Sequence, residues 1–139
     1  MGEQLRPFSH ADNVAAWIEA NGHADAFWIA APDLNAIGVA ARLGRSFYYP
    51  ECTCMMPFVR SGSRWRLQPN GVPESVAAAL RAVGRREAMV LLAGRLAYAM
   101  GSGSDDSDLR VELLAHFDGA EVDLGRLGED FAVYRVALR

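Results

Sequence analysis

The apolar positions divide the chain into two stretches built alike. Val14, Trp17 and Ile18 recur at i, i+3 and i+4, which gives one stripe of a helix over residues 12–20. Asp12 or Ser9 can cap its start by accepting a hydrogen bond from a free backbone N–H. Gly22 can stop it, because glycine takes positive φ without a Cβ clash. The run AFWIAA at 26–31 then reads as a buried strand from its aromatic and β-branched content. At an offset of 62 residues the design recurs, Val14 falling on Val76, Ala20 on Ala82, Gly22 on Gly84 and Trp28 on Val90. Pro73 opens the second helix with Glu74 or Ser75 near its cap; it runs to about Val83 and stops at Gly84.

Between the copies, Pro32-Asp33-Leu34-Asn35 reads as a turn. AIGVAARLG then returns as a strand with Gly38 as a bulge, the alternative being a short helix from Leu34 to Leu43. Ser46–Tyr49 and Met55–Arg60 are strand candidates around the bend at Pro50–Cys54, and RWRLQ follows the turn Ser61-Gly62-Ser63. From Ala88 the chain alternates strand and turn. AMVLLAGRLAYAM is a long apolar strand, GSGSDDSD at 101–108 is an acidic connection, and LRVELLAHF leads into the tight turn Asp118-Gly119. AEVDLGRL and FAVYRVALR complete a meander, with Arg135 and Arg139 pointing outward. The predicted fold is a single α+β domain, 1–139. Two α-β-β-(β) units, about 10–70 and 71–139, form an antiparallel sheet with two helices packed on it.

Composition narrows the class. At 139 residues with 51% apolar and 22% charged content, the chain can bury a real core. No apolar run reaches the length of about 18–20 residues that a membrane-spanning helix needs. The N-terminal segment lacks the basic start and apolar stretch of a secretory signal, so a cytoplasmic location is expected. All 14 basic residues are arginine, which excludes Schiff-base chemistry and a lysine-bearing phosphate loop. The net charge of −3 is uneven: residues 41–100 carry an arginine excess between two acidic ends.

Candidate chemistry is sparse. Cys52 and Cys54 are one residue apart, a poor spacing for an ordinary disulfide, and supply at most two ligands of a tetrahedral zinc site. His10, His23 and His116 show no i+2, i+3 or i+4 pairing, so no metal site and no cofactor are predicted. His116 stands two residues before Asp118, which would make a His–carboxylate base pair. Otherwise no nucleophile is held beside a base, and the chain reads as a binding protein rather than an enzyme.

The most biased stretch is RLGRSFYYPECTCMMPFVRSGSRWR, residues 42–66. Guanidinium groups bind carboxylate or phosphate bidentately, and arginine and aromatic residues dominate protein interfaces. The expected function is therefore that of a protein-binding module of the adaptor, inhibitor, immunity or secretion-chaperone type, bacterial or phage in origin. Its partner surface is formed by Arg42, Arg45, Tyr48, Tyr49, Arg60, Arg64 and Arg66. Two other readings compete: a small enzyme or ligand binder at the seam between the repeats, and a single-stranded nucleic-acid binder, which the acidic pI of about 5.6 disfavours.

Overall fold

The computed structural model describes residues 10–31, 33–50, 54–56, 69–100, 109–117 and 130–139. In chain order these form α1 (His10–Ala20), β1 (Trp28–Ala31), α2 (Asp33–Leu43), β2 (Phe47–Tyr49) and β3 (Cys54–Met56). A 3-10 turn (Pro69–Gly71), α3 (Val72–Val83) and β4 (Glu87–Ala93) follow, then a second 3-10 turn (Gly94–Leu96), β5 (Leu109–Phe117) and β6 (Phe131–Leu138). The strands build one six-stranded sheet in the order β3-β2-β1-β4-β6-β5. β1 runs parallel to both β2 and β4, and the remaining neighbours are antiparallel. The broad α+β expectation holds, but the sheet is mixed rather than antiparallel and carries three helices among the described residues.

The third helix comes from the segment expected as a strand. Parallel neighbours such as β1 and β2 need a crossover, and α2 provides it. Its buried side chains Ala36, Val39 and Ala40 lie at i, i+3 and i+4. The apolar pattern there had helical period, and the alternative helix from Leu34 to Leu43 is the one that forms.

The helices cover both faces of the sheet. α1 and α2 pack through Val14, Ile18, Val39 and Ala40 on Trp28, Phe47, Tyr49, Met89, Leu91 and Phe131. On the opposite face, α3 packs through Val76, Ala77 and Leu80 with Ile29, Tyr48, Val90, Leu92 and Tyr134. Strands β1 and β4 are thus covered on both sides, which is why they read as unbroken apolar runs.

The two similar stretches do form the same local unit. In α1 the N–H of His23 donates to Ile18 C=O at 2.9 Å and Gly22 N–H to Glu19 C=O at 3.1 Å. In α3, Arg85 N–H donates to Leu80 C=O at 2.9 Å and Gly84 N–H to Arg81 C=O at 3.2 Å. Gly22 and Gly84 take φ of 74° and 72°, as such an end demands. α2, which has no counterpart in the repeat, ends alike with Arg45 N–H on Ala40 C=O.

The likeness stops at the strands. Trp28 aligns with Val90 in sequence but lies beside Met89 in the sheet. That single-residue slip puts Trp28 on the α1 face and Val90 on the α3 face. Beyond β1 comes α2 and a parallel neighbour, whereas β4 gains the antiparallel neighbour β6. The predicted pair of α-β-β-(β) units is not the arrangement formed.

The C-terminal part also departs from the predicted meander. The long strand stops at Ala93 because Gly94 turns with φ of 59° and its N–H donates to Asp130 C=O at 2.8 Å. β5 and β6 are direct neighbours, so no third strand lies between them. AEVDLGRL, Asp118 and Gly119 lie outside the described residues, as does the loop 101–108. No helix among the described residues is long and apolar enough to cross a membrane.

Candidate functional site

Where the α1/α2 layer ends, the sheet face turns from apolar to charged. Outward-facing positions alternate along each strand, and the register aligns them in two rungs. One runs Glu87–Ala137–Arg110 and the next Met89–Arg135–Glu112, across β4, β6 and β5. Ala137 is small, so the side chains of Glu87 and Arg110 flank a depression rather than a ridge. Arg86 precedes β4 and Arg139 follows β6, placed together by the 2.8 Å bond from Leu138 N–H to Arg86 C=O.

These residues enclose a cavity of about 550 Å³ lined by Arg86, Glu87, Arg110, Glu112, Arg135, Val136, Ala137, Leu138 and Arg139. Four guanidinium groups face two carboxylates, a formal excess of two positive charges. One of the carboxylates is partly engaged: Glu112 Oε1 lies 3.8 Å from Arg135 Nη1, and both side chains are about half exposed. Among the described residues Arg110 and Arg139 form no ion pair. A second cavity of about 270 Å³ continues the groove and shares Glu87 and Arg135 with the first. Its other walls are His23, Ala26 and Phe27, from the turn after α1, together with Ala88 and Met89. The Arg85 guanidinium lies 4.9 Å from the centre of the Phe27 ring and steadies that turn.

The partner surface read from the sequence fares differently. Tyr48 and Tyr49 are 7% and 1% exposed, so their rings are core and are corrected out of any contact surface. Their strand β2 is covered on both faces: Tyr48 packs beneath α3 and Tyr49 beneath the α1/α2 layer. Arg42 and Arg45 are exposed and form ion pairs with Asp12 and Asp25. Arg60, Arg64 and Arg66 lie outside the described residues, as does Cys52. Cys54 is disulfide-bonded, against the expectation drawn from the spacing, and the sequence holds one other cysteine.

On the α3 face, the His116 ring hydrogen-bonds the Tyr98 hydroxyl, with ring centres 5.3 Å apart; Asp118, the carboxylate near it in sequence, lies outside the described residues. Tyr134 donates from its buried hydroxyl to Ala97 C=O at 2.7 Å. Burial, and secondarily the nearby Tyr98, push the Tyr134 pKa above the ordinary tyrosine value. Among the described residues no three His, Cys, Asp or Glu side chains gather as a metal site would require.

The groove was not visible in the sequence because Arg86, Arg110 and Arg135 are far apart along the chain and meet only through strand register. The available signal was the outward phase of Arg135 and Arg139 on the last strand. Compared with known proteins, the chain matches no family model, no curated protein and no solved structure.

Proposed function

We propose that this protein is a binding module that takes an acidic segment of a protein partner in the arginine-lined groove. The observation that carries this reading is the convergence of Arg86, Arg110, Arg135 and Arg139 on one open cavity. Guanidinium groups bind carboxylates through paired, charge-assisted hydrogen bonds. The net charge of −3 argues against a nucleic-acid partner. The class is that expected from the sequence, with the contact surface moved to the ends of β4, β5 and β6.

The test is fluorescence anisotropy with a labelled Glu/Asp-rich peptide. Arg86→Glu combined with Arg139→Glu is expected to weaken binding at least ten-fold, since two attractive contacts become repulsive. Affinity should also fall as salt rises. Unchanged binding in that double variant would sink the groove assignment. Charge reversal of Arg60, Arg64 and Arg66 tests the sequence-derived surface separately.

One observation favours a second reading, a small ligand at the seam between β1 and β4. Chain connections leave these two parallel strands toward opposite faces, and ligands of open α/β sheets bind at the carboxyl ends of strands where this happens. Arg95, just past Gly94, stands at that end. A ligand there would be lost with Arg95→Ala and unaffected by the groove variants.

A further inference from the structure

We infer that the acidic segment bound in the arginine groove carries one large apolar side chain, which seats in the second cavity and sets the choice of partner. The inference rests on the groove reading proposed above and names the chemistry of its ligand. The second cavity, about 270 Å³, meets the groove where Glu87 and Arg135 line both. Beyond that junction the walls change character. Ala26, Phe27, Ala88 and Met89 supply apolar surface, with His23 beside them. Arginines alone would hold any acidic chain, whereas an apolar recess next to them discriminates between acidic chains.

The recess is held in shape by packing on every side. Ala88 and Met89 are buried strand residues, 6% and 4% exposed. The Phe27 ring centre lies 6.2 Å from that of Tyr48, and the Arg85 guanidinium lies 4.9 Å from it. The His23 ring centre lies 5.6 Å from that of Trp17. Ala26 N–H donates to His23 C=O at 3.1 Å and closes the turn. A preformed recess spares the cost of ordering its walls on binding.

Strand spacing fixes where the anchor stands relative to the acids. The recess lies between β4 and the turn before β1, and Arg110 is on β5, two strands beyond β4. Neighbouring strands are about 4.8 Å apart, so anchor and Arg110 are separated by roughly 10–14 Å. An extended segment crossing the strands covers that distance in about four residues, with alternate side chains toward the sheet. The anchor and the acids two and four positions from it therefore face the protein together. The nearer acid reaches Arg86 and Arg139, and the farther one reaches Arg110. At the junction, Glu87 can accept a peptide N–H and Arg135 can donate to a peptide C=O. The same Glu87 would repel the phosphates of a nucleotide whose base filled the recess, so a peptide is the better fit.

The experiment is fluorescence anisotropy on the full chain with four labelled peptides. The first carries glutamates at two alternate positions among glycine and serine. Two others add a phenylalanine two residues before or two residues after that pair. The fourth sets the phenylalanine directly next to a glutamate, on the opposite side of an extended chain. One of the two spaced peptides should bind about ten-fold more tightly than the first, and the fourth should gain nothing. Ala26 is exposed, so Ala26→Trp fills the recess without unpacking the core. That variant should abolish the gain and leave the affinity of the first peptide unchanged, with a circular dichroism melt to check the fold. Binding of the first peptide with no gain from phenylalanine, or with equal gain at the displaced position, overturns the inference and leaves the groove reading standing. A gain that survives in a folded A26W overturns it as well. So does displacement of the bound peptide by ATP at lower concentration than by unlabelled peptide. If none of the four peptides binds, the groove reading falls and the inference falls with it.

Discussion

Replacing Tyr134 with phenylalanine removes one oxygen from the core and little else. Tyr134 is 2% exposed, and its hydroxyl reaches across 37 residues of chain to the carbonyl of Ala97 at 2.7 Å. Phenylalanine keeps the ring packing, so the loss is the hydrogen bond and the solvation of a buried carbonyl left without it. A net hydrogen bond is worth about 0.5–1.5 kcal/mol, and an orphaned buried acceptor costs about 1–3. Y134F should therefore lose about 1–2 kcal/mol at pH 7 in urea unfolding, with an unchanged slope because the surface exposed is the same. The alkaline limb gives a second reading. The folded pKa of Tyr134 is raised, chiefly by burial. Its contribution is fully present below the unfolded value near 10 and is lost as pH rises through the folded value. Above pH 10 the unfolded state sheds the proton first, so wild-type stability should fall more steeply with pH than that of Y134F. Parallel pH profiles for the two proteins, together with a loss at pH 7 below about 0.3 kcal/mol, would refute the account of this contact.

Two further substitutions probe α3, the helix that covers this same face of the sheet. Leu80 is fully buried between α3 and the sheet, so Leu80→Ala should cost about 2–5 kcal/mol in the same urea assay. Gly84→Ala has open space around the added methyl but a backbone φ of 72°, so its cost should be only the left-handed penalty, about 1 kcal/mol. Gly84→Asn should recover part of that loss, because asparagine tolerates this conformation better.

Local structure was legible in the sequence where a single residue type governs it. Gly22 and Gly84 marked the ends of α1 and α3, and the predicted strands at Ser46–Tyr49, LRVELLAHF and FAVYRVALR all contain strand. Pro73 marked the start of α3, where it occupies the first turn. Residues 36–43 misled because Ile37 and Val39 also satisfy a two-residue alternation, and only the parallel pairing of β1 with β2 makes a helix necessary. Strand direction was hidden for the same reason: it depends on which strands become neighbours, and β1 finds β4 some sixty residues away. Buried strands are apolar on both faces, so their composition does not reveal parallel or antiparallel company. The charged groove is a product of register and had no contiguous signature. Tyr48 and Tyr49 were assigned to the surface because arginines flank them in sequence, yet a strand covered on both faces buries consecutive residues.

The slip that sets Trp28 beside Met89 assigns responsibility for the layer order. Counted from its own helix-ending glycine, the sixth residue in each unit is the one aimed back at its helix: Trp28 toward α1, Val90 toward α3. β4 is buried from Ala88 to Ala93, so its side chains discriminate poorly between its two sides. The spacer between glycine and strand therefore acts as the selector, and its residue count matters more than its chemistry. Protein engineers altering this fold should find the strands forgiving of apolar exchange and the short spacers at 23–27 and 85–86 intolerant of a single inserted or deleted residue.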